Sequence, residues 1–343
     1  MRTKNNSIVA ALVTGLLFMT TLGFSQGMLT PPGAPAPTMK SLGQIYAQLD
    51  PRTPLGTNTT PGDANDIFVI TQPGSYFLTT NITSGLTNTY NGIEILANNV
   101  TLDLNGFALL STATNVAFGN NYGIYIPNTQ TNIIVCNGTI NGWAAGVESF
   151  SSASVSLVFE KLNVVNCYKG PAFAASGIIT FGAAVIKGCN FENDFYGIYC
   201  NAFSSSALSL IEDCTVNDSA GTGILSYGPA VIKSCTANNC ANTGINRNSG
   251  TGGTISGCAA NGNYYGIYDG CGRDRIENNH VTGNAYGIDI GGGASNTNNI
   301  IIGNTAVGSS VANYTIPGGQ IAGPLITTTG TITNSNPWAN FSF

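Results

Sequence analysis

The chain has 343 residues and a formal net charge of −5, from 11 basic and 16 acidic side chains with a single histidine. Only 8% of its residues are charged, against a usual ~25%, which argues against a nucleic-acid partner. With 43% hydrophobic residues it is too apolar for a disordered chain, and its solubility must come from uncharged Asn, Ser, Thr and Gly.

Arg2 and Lys4 precede an uncharged, largely apolar run from Ile8 to Leu22, and Gly23-Phe24-Ser25 offers small residues at a cleavage site. This is the pattern of a secretory signal peptide, residues 1–25, and it predicts a secreted or cell-surface protein. The run is shorter than the ~20 apolar residues a membrane span needs, so no membrane partner is expected after cleavage. Loss of Arg2 and Lys4 leaves 9 basic against 16 acidic residues, a mature net charge of −7. Residues 26–65 read as a spacer: Pro31, Pro32, Pro35 and Pro37 keep the chain extended, and 38–49 has the apolar spacing of a short helix stopped by Pro51 and Pro54.

From residue 66 to 315 two motifs repeat at almost the same period. One is a Gly-Ile pair, often preceded by tyrosine: Tyr122-Gly123-Ile124, Tyr196-Gly197-Ile198, Thr222-Gly223-Ile224, Thr243-Gly244-Ile245, Tyr265-Gly266-Ile267 and Tyr286-Gly287-Ile288. The other is an apolar residue, a variable residue, a bend residue, then Cys or Asn. It reads Ile186-Lys187-Gly188-Cys189, Ile211-Glu212-Asp213-Cys214, Ile232-Lys233-Ser234-Cys235, Ile255-Ser256-Gly257-Cys258, Ile276-Glu277-Asn278-Asn279 and Ile301-Ile302-Gly303-Asn304. The bend position suits a left-handed backbone, so two short strands meet there at a corner. The apolar residue and the Cys or Asn point inward, and the variable residue points out. A motif order repeated every ~22 residues excludes hairpin meanders, and the lack of a helical leg excludes leucine-rich repeats. The remaining fold class is all-β, a parallel β-helix of about ten coils, right-handed by the bias of parallel crossovers.

The pattern resembles the pectin lyase-like superfamily of parallel β-helix repeat proteins. Ile67-Phe68-Val69-Ile70 resembles the entry to such a domain and Val100-Thr101-Leu102-Asp103-Leu104-Asn105-Gly106-Phe107 its first full coil. The cap or tail, 316–343, ends in Asn336-Pro337-Trp338-Ala339-Asn340-Phe341, which is similar to the tails of secreted bacterial β-helix proteins. The resemblance implies a fold rather than an activity, since the superfamily holds lyases, hydrolases, epimerases, binding modules and tailspikes. The clustered carboxylates with an arginine base of calcium-dependent pectate lyases cannot be read here, nor can the His-Gly and Arg-x-Lys motifs of polygalacturonases. Tyr286-Gly287-Ile288-Asp289 shares part of an alginate epimerase signature but lacks its Pro-His end.

No cofactor and no metal site are expected. Cys189, Cys214, Cys235 and Cys258 fall at one register, continued by Asn279 and Asn304, which marks a packing column of reduced thiols, although neighbouring coils lie within disulfide range. His280 should be an exposed bystander, and the Arg273-Asp274-Arg275 cluster a solvated connection. The candidate site is the outer face of the Gly-Ile strands. If the isoleucine points in, the next residue points out: Tyr125, Glu148, Tyr199, Leu225, Asn246, Tyr268 and Asp289, with Phe150, Asn201, Tyr227 and Asn248 two positions further. Aromatic rings interleaved with amides and carboxylates suit an extracellular polysaccharide. Glu148 or Asp289 would serve a lyase or hydrolase, and a structural surface protein or adhesin would need no such site.

Overall fold

The bend residues set the architecture. The computed structural model describes Ser41, Ile45 and residues 50–85, 91–113, 121–127, 130–150, 156–167, 175–202 and 208–343. In it Gly188, Asp213, Ser234, Gly257, Asn278 and Gly303 all have φ between 54° and 65°. A second series follows each by five residues: Asn193, Asp218, Asn239, Gly262, Gly283 and Gly308, with φ between 54° and 68°. Each pair of bends isolates a three-residue strand, such as Thr215–Asn217 or Thr236–Asn238.

Strands before and after the first bend belong to one 22-stranded sheet, and the Gly-Ile strands form a second sheet of 11. We call these the major and minor sheets. The minor sheet contributes one strand per coil, so its 11 strands agree with the expected coil number. Pairing between successive coils is parallel and in register: Ile186, Ile211, Ile232, Ile255, Ile276 and Ile301 stack on the major sheet. Ile198, Ile224, Ile245, Ile267 and Ile288 stack on the minor sheet. Both ladders are fully buried and face one continuous core. Burying each isoleucine contributes roughly 1.5–3 kcal/mol, and the repeat multiplies that gain along the rod.

The repeat glycine has a steric cause. A Cβ at Gly197 would stand 2.5 Å from Cγ1 of Val216 and 2.9 Å from the Gly223 carbonyl oxygen, and at Gly266 it would stand 2.7 Å from the Gly287 oxygen. Only hydrogen fits where the minor-sheet strand turns in against the coil below.

Inside the corner, Cys189, Cys214, Cys235 and Cys258 form one buried column. Amides continue it. Asn279 Oδ1 accepts the Cys258 N–H at 2.9 Å, Asn304 Oδ1 accepts the Asn279 N–H at 3.0 Å, and Asn340 Oδ1 accepts the Asn304 N–H at 3.0 Å. Their Nδ2 groups donate to the carbonyls of Ile255, Ile276 and Ile301. The buried amides are therefore satisfied on both sides, as burial requires. Asn340 lies in the tail, whose strand Asn340–Ser342 pairs with Thr305–Val307 and extends the ladder by one step.

The compact unit containing the coils runs from Arg52 to Phe343. Pairing begins at Thr53–Pro54 on Tyr76 and Phe77, inside the stretch expected as spacer. The expected signal peptide, residues 1–25, lies outside the described residues. Of the expected helix only Ser41 and Ile45 are described, and the Ile45 N–H donates to the Ser41 carbonyl at 3.0 Å, one helical turn.

Candidate functional site

Parallel register turns the outward residues of the minor sheet into a column running the length of the rod: Glu94, Tyr125, Glu148, Ile179, Tyr199, Leu225, Asn246, Tyr268, Asp289. A second outward column comes from the residue before the glycine. Tyr122, Tyr196 and Tyr265 set their rings 5.5, 5.5 and 5.6 Å from those of Tyr125, Tyr199 and Tyr268. These tyrosines were visible in the Tyr-Gly-Ile motif. Strict alternation would have turned them inward, and the irregular backbone at the glycine turns them out.

All seven predicted site residues lie on this outer face, but they do not form one exposed strip. Glu148 and Tyr199, expected to be accessible, are 2% and 6% exposed, and Leu225 is 4% exposed. Tyr199 and Leu225 belong to a second apolar cluster with Tyr122, Ala145 and Ile179, packed by Tyr125, Phe181, Tyr196 and Tyr227. Ring contacts knit it together: Tyr196 on Tyr199 at 5.5 Å, Tyr199 on Tyr227 at 5.8 Å, and Phe150 flat on Phe181 at 5.0 Å. Tyr227 also accepts a hydrogen bond from Asn248 Nδ2 at 2.8 Å. These side chains point away from the core, yet their neighbours on the same face cover them.

The last coils differ. Asn246, Tyr268 and Asp289 are half-buried and adjacent in register. Tyr265 stacks on Tyr286 at 5.0 Å with an interplanar angle of 23°, and Tyr264, half exposed, packs edge-on against both. This is an open aromatic platform beside an amide and a carboxylate.

The electrostatics of the two halves also differ. Glu94 and Glu148 flank Tyr125 in the column, and burial pushes both carboxyls up to about 7. Asp66 and Asp63 raise Glu94 further, while a hydrogen bond from the Tyr122 hydroxyl holds Glu148 back. In the open half Asp289 is raised by burial alone.

Elsewhere, His280 is exposed on the major sheet. The Arg273-Asp274-Arg275 cluster is not the solvated connection expected. Asp274 is 1% exposed; its Oδ2 accepts from Nε of the buried Arg247 at 2.7 Å and its Oδ1 from the Gly253 N–H at 2.6 Å. Arg247 follows outward Asn246, so alternation could have placed it inside. Two groups of described residues have the donor sets to hold a metal ion: Asp63, Asp66 and Glu94, and the buried Asp269, Cys271 and Asp274. In the second, Arg247 already neutralises Asp274. A groove of about 350 Å³ lies at the C-terminal end of the major sheet, lined by Arg275, Ile300, Ile321, Asn336 and Trp338, away from the tyrosine platform.

A family described as "Right handed beta helix region" matches residues 176–334, just under half the chain. No curated protein matches the chain by sequence. Among solved structures, the Dettilon tailspike protein (gp208) is similar, with a TM-score of 0.54 at 13% identity over 85% of this chain. The match spans 60% of that tailspike's length, and at this identity it shows the fold alone.

Proposed function

We propose that this chain, whose fold is a right-handed parallel β-helix, is secreted and binds an extended neutral or cationic polysaccharide along the last coils of the minor sheet. The observation that carries this reading is the in-register platform of Tyr265, Tyr268 and Tyr286 between Asn246 and Asp289. Aromatic faces stack on apolar sugar faces, and the amide and carboxylate take hydroxyl hydrogen bonds. A rigid stack of coils presents these groups without ordering a loop, which lowers the entropic cost of association. A mature charge near −7 disfavours polyanions unless a cation bridges them. Affinity electrophoresis against a polysaccharide panel tests the reading. Retardation should be lost in a Tyr265→Ala, Tyr268→Ala double variant that still folds. Retardation kept there but lost in Trp338→Ala would move the site to the C-terminal groove, and none on any polysaccharide would favour a structural protein or adhesin.

A second reading, hydrolysis or lysis, is favoured by Glu94 and Glu148, two carboxyls held near 7 on either side of Tyr125. Reducing ends or unsaturated products at pH 6–7, abolished by Glu94→Gln, would support it.

A further inference from the structure

We propose that the interior thiol column is a binding site for monovalent soft metal ions of the copper(I) and silver(I) class. Cys189, Cys214, Cys235 and Cys258 sit on four successive coils, between 0% and 2% exposed. Their backbones are in register: the N–H after each of the last three donates to the carbonyl of the cysteine one coil before, Thr215 to Cys189, Thr236 to Cys214 and Ala259 to Cys235, at 2.8–3.0 Å. The side chains share one orientation. Each Sγ lies 3.3–3.5 Å from the carbonyl oxygen two residues earlier and 3.5–3.7 Å from one on the preceding coil. Identical orientation at identical register makes the sulfur spacing close to the strand spacing, ~4.8 Å.

That spacing decides the ligand chemistry. All nine cysteines are free. The ~4.8 Å coil spacing falls within the Cα range of a disulfide, as expected from the sequence, but a disulfide also wants Cβ atoms ~3.5–4.5 Å apart, closer than parallel in-register residues stand. Two metal–sulfur bonds of ~2.3 Å laid end to end span ~4.6 Å. A straight column offers only two sulfurs to any one ion, so tetrahedral zinc is excluded and a linear, two-coordinate soft ion is selected. The dry interior adds a charge condition. One M⁺ binding two thiols with release of one proton to solvent gives a neutral RS–M–S(H)R unit, which burial tolerates. Two such units fill the column, one across Cys189 and Cys214 and one across Cys235 and Cys258.

The neighbouring interior column supplies the control. It runs through Cys167, Asp194, Ser219 and Cys240, so its two thiols are kept apart by the intervening coils. The test incubates the native full chain with silver(I) in chloride-free buffer, removes unbound ion by gel filtration and counts silver per protein. A parallel sample is unfolded and refolded with silver to allow for slow entry. The wild type should hold two more silver ions than a variant with serine at all four column positions, and Cys167→Ser, Cys240→Ser should keep those two. Should the quadruple variant not fold, Cys235→Ser should lose one ion and retain the Cys189–Cys214 unit. Equal silver in the wild type and the column variants, by either route of loading, overturns the proposal.

Discussion

The first and last parts of the minor sheet share one backbone and one repeat yet present opposite surfaces. From Tyr122 to Leu225 the outer face is closed into an apolar cluster that buries Glu148 and Tyr199. From Asn246 to Asp289 it stays open, with Tyr264 half exposed over Tyr265 and Tyr286. An outward side chain is therefore not a surface side chain. Ile179 and Phe181 stand next to Tyr199, whereas Asn246 and Asp289 stand on either side of Tyr268. Apolar neighbours close the first face and polar neighbours leave the second wet.

The largest expected effect removes the contrast altogether. Ile232→Asp places an unpaired carboxylate in the isoleucine ladder that both halves share, at a cost of several kcal/mol, and the protein should fail to fold or lose its cooperative transition in a denaturant melt. Next, Tyr199→Ala should cost about 3 kcal/mol by emptying the closed cluster, with polysaccharide retardation unchanged in the folded fraction. The reverse pattern is expected of Tyr268→Ala, with a smaller loss of stability and a large loss of retardation.

The closed half should also make stability depend on pH. Glu148 titrates near 7 in the folded protein against a reference of 4.5. The folded state then binds more protons than the unfolded state between those values, so stability falls as pH rises through this window. Glu148→Gln should stabilise the protein at pH 8 by up to about 3 kcal/mol and make the fall in melting temperature between pH 5 and 7 shallower, Glu94, also raised to about 7, keeping its share. Burial, and after it the neighbouring Asp274, raises Asp269 to about 8, which should extend the decline in the same direction; Asp269→Asn should remove that part. An unchanged profile in Glu148→Gln would falsify the burial assigned to that carboxyl.

Smallest of all, Tyr264→Ala should shift stability by no more than ~0.5 kcal/mol while weakening binding measurably.

The isoleucine ladders and the bend at Gly188, Asp213 and Ser234 were legible because a strand period of two and a left-handed corner each demand particular residue types at fixed spacing. The second bend series, Asn193 to Gly308, follows the same logic but does not stand out in the sequence, because its residues are common throughout this Asn- and Gly-rich chain. Exposure on the outer face was not legible. Whether Tyr199 is covered depends on Tyr196, Tyr227 and Ile179, which reach it from its own coil and the two adjoining ones. Asp274 looked solvated beside Arg273 and Arg275, and its partner Arg247 stands a full coil earlier.

Hydroxyl-radical footprinting of the tyrosines, with and without a retained polysaccharide, tests the division of this face most directly. The account predicts strong labelling of Tyr264, Tyr265, Tyr268 and Tyr286, protected by the polysaccharide, and little labelling of Tyr122 and Tyr199 in either state. Labelling of Tyr122 and Tyr199 as strong as that of Tyr264, or protection confined to residues outside the last coils, would contradict it.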